Sequence, residues 1–266
     1  MPPKKPNRYE VLVEDIFFQN YANGIVVIKF SREELVTSAK KLKTKLPKNL
    51  GDVLYSFRYR NPLPVKILDT QPLGMEWVIE GAGIGQYEFR LVPINRITPN
   101  PGLITIKIPD ATPEILTANS LSDEQALLAR VRYNRLIDIF LGITTYSLQN
   151  HLRTTVKGLG QIEIDEVYVG LDRHGCQYII PVQAKGGSDQ LSTVQAKQDI
   201  ACCAQKFPEL VCRAISAQFM EESKIALFEL CIDEKGLVRT VDERHYQLVP
   251  SDQIHATDRR TYRQRT

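Results

Sequence analysis

The apolar positions of this chain change their period several times, and each change marks an element. From Arg8 to Gln19, Val11, Leu12, Ile16 and Phe17 recur at helical spacing, and Asn23-Gly24 supplies a stop. Ile25 to Phe30 predicts a brief strand. Ser31 followed three residues later by Glu34 is a capping box opening a helix that carries Leu35, Val36, Ala39 and Leu42 and ends before Pro47. Asn49 then caps a third helix through Tyr59, halted by Asn61-Pro62. Met75 to Glu80 and Tyr87 to Val92 read as two strands around a flexible glycine turn, Gly81 to Gly85.

The second half has a different rhythm. Residues 93 to 120 are rich in Pro, Asn and Thr, with one strand-like run from Leu103 to Ile108, and place a domain boundary near 110. The expected domains are therefore 1–110 and 111–266. A long helix is expected over Asp123 to Asp138, and a second after Gly142 through Tyr146, Leu148 and Leu152. Two short strands, Ile162 to Val169 and Gln177 to Gln183, are joined by the turn Leu171 to Gly175. A helix to Lys206 follows, then strands from Val211 to Ala217 and Ile225 to Ile232. The tail from Asp258, with Arg259, Arg260, Arg263 and Arg265, is expected to stay disordered until bound. Helix, strand, strand, helix, strand predicts an α/β fold, a mixed sheet flanked by helices.

Composition adds limits. The chain has 266 residues, 43% hydrophobic and 24% charged, enough for two domains of ordinary globular mixture. No run of about 18 apolar residues occurs, and the start, Met1 to Pro6, is basic without an apolar core, so a cytoplasmic protein with no membrane partner is expected. Five cysteines without a C-x-x-C pair read as free thiols, and the four histidines show no ligand spacing.

Net charge is only +3, yet between Ser31 and Lys66 nine bases face three acids. In the first half, helix, strand, helix, turn, helix and hairpin is the order of a winged helix-turn-helix domain, whose third helix enters the major groove. Lys40, Lys41, Lys43, Lys45 and Lys48 are candidates for phosphate contacts, and Tyr55, Arg58 and Arg60, on or just after the third helix, for base contacts. The partner expected is double-stranded DNA.

Candidate chemistry concentrates in QIEIDEVYVGLDRHGCQYIIPVQAK, Gln161 to Lys185. Side chains alternate along a strand, so Glu163 and Asp165 share one face while Ile162, Ile164 and Glu166 share the other. In an antiparallel pair with a short turn, the start of the first strand lies beside the end of the second, which brings the carboxylates next to Gln183 and Lys185. A Mg²⁺ ion takes oxygen ligands and keeps several waters, so one carboxylate, one amide oxygen and a backbone carbonyl suffice. A lysine two residues on orients an attacking water or stabilises charge on a phosphate.

These residues resemble the PD-(D/E)xK nuclease superfamily, and more narrowly its type II restriction endonucleases, over roughly residues 120 to 235. Asp165 matches the family's Asp, and Gln183 and Lys185 match the first and last positions of the (D/E)-x-K triplet. Gln183 departs from the pattern, which usually has an acid there. The family often adds a Glu from a preceding helix; no residue fits that role clearly, and Glu163 is the candidate substitute. The resemblance implies a restriction-endonuclease-like fold in the second half. It also implies sequence-specific cleavage of double-stranded DNA with Mg²⁺, giving 5′-phosphate and 3′-hydroxyl ends. The catalytic set would be Asp165, Gln183, Lys185 and Glu163, with Asp165, Gln183, the Ala184 carbonyl and Glu166 around the metal. A homodimer follows if the target is palindromic. Alternatives are a repair or junction-cutting nuclease, and a non-catalytic DNA-binding regulator with a degenerate nuclease fold.

Overall fold

In a computed structural model the described residues are 7–59, 61–94, 96–119, 124–186, 191–220 and 224–264, the side chains of Asp52 and Tyr59 excepted. The chain forms two compact units, residues 1–95 with 155–161, and residues 96–154 with 162–266.

The first unit holds α1 (Arg8–Asn20), β1 (Val27–Ser31), α2 (Arg32–Lys41), α3 (Gly51–Tyr59), the one-turn α4 (Val65–Leu68), β2 (Met75–Gly83) and β3 (Gln86–Pro93). Three of its helices start on side-chain oxygens, two of them, at Ser31 and Asn49, where the sequence placed caps. Asn7 opens α1, the backbone N–H of Ser31 donates to Glu34 Oε1 (2.7 Å), and the N–H of Gly51 donates to Asn49 Oδ1 (3.1 Å). The strands form an antiparallel sheet in the order β1-β3-β2, with Ile28 and Ile79 both opposite Phe89. Phe17 is the centre of the core. Its ring meets Trp77 and Phe89 edge to face at 5.1 Å, and Leu12, Ile16, Leu35 and Leu54 close around it. Each such buried side chain contributes about 1.5–3 kcal/mol.

The second unit contains β4 (Thr105–Pro109), α5 (Glu114–Asn119), α6 (Glu124–Tyr133), α7 (Leu136–Leu141), β5 (Thr144–Val156), β6 (Gly160–Leu171), β7 (Gln177–Lys185), α8 (Thr193–Lys206), β8 (Val211–Cys212), β9 (Ala214–Phe219), β10 (Lys224–Ile232), β11 (Val238–Val249) and α9 (Ala256–Arg263). The joined ends of β5 and β6 belong to the first unit. The mixed sheet runs β4-β11-β10-β9-β7-β6-β5, with β8 beside β7; β9 is parallel to β7, and β4 to β11. Alternation divides its two faces. Ile180, Val182, Ala184, Ile215, Ala217, Ile225 and Leu227 pack with Leu127, Leu128 and Val131 of α6 and Leu136 of α7, whereas Ala214, Ala226, Phe228 and Leu230 pack with Ala196 of α8. The architecture is thus mixed α/β, a large mixed sheet flanked by helices. Among the described residues no helix is long and apolar enough to cross a membrane.

Several expectations are corrected. The first unit ends at 95 rather than 110, because β4 pairs in parallel with β11, His245 opposite Thr105. The helix expected over 123–138 breaks at Asn134-Arg135, where Arg135 turns left-handed (φ 50°) and the buried Asn134 amide donates to Thr112 Oγ1 (2.9 Å) and the Arg130 carbonyl (3.0 Å). The segment after Gly142 is a strand, not a helix. Tyr146 and Leu148 stand two apart and share a face at the start of β5, the backbone turns left-handed at His151 (φ 49°), and threonines at both ends favour extended backbone. The tail is helical over Ala256–Arg263, Arg265 lying outside the described residues: α9 packs on β4, with Tyr262 Oη accepting the Lys107 N–H (2.9 Å) and Asp258 pairing with Lys107 Nζ (3.0 Å). β11 was not read from the sequence at all. Its weakly alternating residues are held extended by partners on both sides, β10 and β4.

Candidate active site

The β6–β7 ladder runs from Leu171 opposite Gln177 to Glu166 opposite Val182, while β7 continues to Lys185 paired with β9. Just past the last rung, the Asp165 side chain bridges the two strands: its Oδ2 accepts the backbone N–H of Ala184 at 2.9 Å. A residue in a strand directs its N–H and C=O to the same edge. The Ala184 carbonyl therefore faces the β6 side, as its N–H does. Burial pushes the Asp165 carboxyl up to about 6, against the lowering effect of the Ala184 N–H and the Lys185 charge; Glu124 and Glu163 add to the rise.

Lys185, the last residue of β7, is largely buried and its Nζ pairs with Glu124 Oε1 at 2.8 Å. Gln183 is 3% exposed, and its amide nitrogen donates to Asp199 Oδ2 (2.9 Å) and to the Glu163 carbonyl (3.2 Å). Its oxygen, Oε1, is buried and has no hydrogen-bond partner among the described residues. An orphaned buried acceptor costs about 1–3 kcal/mol, so it calls for a ligand or a water.

Asp165, Gln183, the Ala184 amide and Lys185 are thus brought together. Glu163 joins them through its backbone; its side chain is turned to β5, pairing with Arg153 (3.2 Å) and His151 (3.3 Å). Glu166, expected near the metal, points to the other face of the sheet, fully buried, where it binds Arg132 Nε (2.8 Å) and Ser147 Oγ (2.6 Å). Strand alternation separates it from Asp165, so it is not a ligand there.

Two residues escaped the sequence reading. Glu124 opens α6, and nothing in its spacing announces a contact with Lys185 sixty-one positions on. Asp199 lies in α8, fully enclosed; burial first, and then the charge of Asp165, raises its carboxyl well above the ordinary range, against the Gln183 hydrogen bond. A signal existed for Asp199. Gln195, Gln198, Asp199 and Cys202 occupy one stripe of α8 at the i, i+3, i+4, i+7 spacing of a core face, where apolar residues belong.

Among the described residues, no group of three or more His, Cys, Asp or Glu side chains is arranged to hold a metal ion. The donor set at the fork is of another composition: one carboxylate, one amide oxygen and one backbone carbonyl, all oxygen. Oxygens of this kind suit a hard, partly hydrated cation such as Mg²⁺, and among the described residues Gln183 Oε1 has no hydrogen bond that would compete with one.

In the first unit, Lys40, Lys41, Lys43, Lys45 and Lys48 are exposed, with Lys41 paired to Asp15 (2.6 Å). Tyr55 is half-buried, and Nε and Nη2 of Arg58 are buried, so Arg58 is not presented as a base-reading side chain. Arg60 lies outside the described residues.

Comparison of the chain with protein-family models, with curated proteins and with solved structures finds no match.

Proposed function

We propose that this chain is a Mg²⁺-dependent, sequence-specific double-stranded DNA endonuclease of the type II restriction kind. The observation that carries the reading is the fork itself: Asp165 bound to the Ala184 N–H, with Lys185 on the next residue held at 2.8 Å by Glu124. This matches the spacing of acid and lysine in the PD-(D/E)xK resemblance, with Glu124 standing where that family places a helix glutamate. The element order of the first unit, and the lysines of α2 and its following loop, support a winged-helix recognition domain. Its basic face would give salt-sensitive affinity for phosphates.

Asp165, the Gln183 amide oxygen and the Ala184 carbonyl would hold the ion. Mg²⁺ supplies Lewis acidity toward a phosphate oxygen and makes a bound water more acidic. Lys185 contributes an ammonium with three donors, one of them engaged by Glu124, leaving two for a water or a phosphate oxygen. Glu124 fixes the direction of that ammonium. Asp165 must be ionised to act, and the Ala184 N–H, donating only to one of its oxygens, leaves the other available.

A second reading, a non-catalytic DNA-binding regulator, draws on one feature: Gln183 is neutral, so Asp165 is the one acid of the family's strand pair that is present. Incubating purified protein with unmodified plasmid and Mg²⁺ separates the two. An endonuclease gives discrete fragments with 5′-phosphate ends, and Asp165→Asn lowers the rate at least about a hundredfold. Intact plasmid across a panel of sites would favour the regulator, and cutting of branched DNA alone would favour a repair enzyme.

A further inference from the structure

Gln183 is the residue at which the site departs from an acidic triplet, and its surroundings account for how a neutral side chain serves there. An amide offers an oxygen or an NH₂ group depending on which way it is turned, and the two faces are chemically opposite toward a cation. The Glu163 carbonyl, 3.2 Å from Gln183 Nε2, can only accept, so it admits the NH₂ group and not the oxygen. Asp199 Oδ2, 2.9 Å from the same nitrogen, takes the second proton. With both protons engaged, Oε1 is left on the remaining side, buried and without a partner among the described residues.

A fully enclosed aspartate in the middle of α8 is costly to bury and has no salt-bridge partner among the described residues. Its hydrogen bond is to Gln183. We infer that Asp199 is a positioning residue: together with the Glu163 carbonyl it locks the Gln183 amide with its nitrogen held by those two acceptors and its oxygen left free, converting glutamine into an oriented oxygen ligand. This rests on the metal-dependent reading above. It adds to it a residue on a separate helix, acting through Gln183. Outer residues that orient a ligand typically change metal affinity by about 10–100-fold when lost.

The test uses the full wild-type chain, labelled with ¹³C and ¹⁵N, titrated with Mg²⁺ and followed at the Gln183 side chain. Expected are two slowly exchanging Nε2 protons before and after addition, and a Mg²⁺-dependent shift of the Gln183 Cδ resonance alongside that of Asp165 Cγ. A shift at Asp165 with none at Gln183 would overturn the inference and leave the metal site standing. No shift at either would remove the functional reading itself. Variants give a second measurement, Mn²⁺ affinity by electron paramagnetic resonance. Asp199→Leu should weaken binding at least about tenfold, while Asp199→Asn, which keeps an oxygen acceptor toward Gln183, stays within about threefold. Equal affinity of Asp199→Leu and wild type would contradict the positioning role, as would an equal loss in both variants.

Discussion

Asp165 is under two opposed demands. Its carboxylate is held by the Ala184 N–H and attracted by Lys185, yet burial outweighs both and raises it to about 6. A carboxyl whose pKa is raised in the fold favours the native state in its protonated form. Its contribution is therefore complete below the ordinary value of 3.8 and is lost as pH climbs through about 6. A divalent cation that binds only the ionised group restores that loss. Saturating Mg²⁺, at about ten times its Kd, is expected to raise the unfolding midpoint by about 2–4 °C near pH 7.5 and to have little effect near pH 5. In Asp165→Asn the difference between the two pH values should vanish. Calorimetry with and without Mg²⁺ reads this directly, and an equal Mg²⁺ effect at both pH values would dissociate the ion from Asp165.

At the scale of elements, the hairpin of β5 and β6 carries Asp165, while its tip belongs to the first unit. There Gly81 of β2 leaves room for the chain: a methyl group at this position would lie 2.0 Å from the Leu159 carbonyl oxygen. Backbone cannot yield as the end of a side chain can, so Gly81→Ala is expected to destabilise the first unit by about 1–3 kcal/mol. Urea unfolding followed by Trp77 fluorescence checks it; an unchanged midpoint would mean that the tip moves freely. Elements were legible where local chemistry fixes them. The Ser31–Glu34 box and the Asn49 cap mark helices without tertiary help, and Ile179 to Val182 is a buried strand by its unbroken apolar run. β5 and β11 were not legible, because one is an edge strand with a mostly exposed surface and the other takes its conformation from neighbours on both sides. At the site, Asp165, Gln183 and Lys185 could be read from strand alternation and turn length. Glu124 could not, since its approach depends on how a helix docks across a sheet, and Asp199 was legible only as a polar residue on a core stripe of α8, not as the partner of Gln183. Glu166 was misplaced as a ligand for the converse reason, an acid in the right stretch but on the wrong face.

For the whole molecule, the proposal divides labour between a unit that grips duplex DNA through exposed lysines and a unit that carries the hydrolytic fork. These functions are separable in principle, because the lysines of α2 and its loop and the β6–β7 fork belong to different compact units. Lys185 is the sharpest place to separate them. Its ammonium ends β7 and contacts Glu124, and it has no part in the core of the first unit. The decisive measurement is therefore Lys185→Ala, assayed side by side for plasmid cleavage with Mg²⁺ and for duplex binding by gel shift with Ca²⁺ in place of Mg²⁺. The account predicts cleavage reduced at least about a hundredfold with duplex affinity within about threefold of wild type. Cleavage by the variant at the wild-type rate would contradict it.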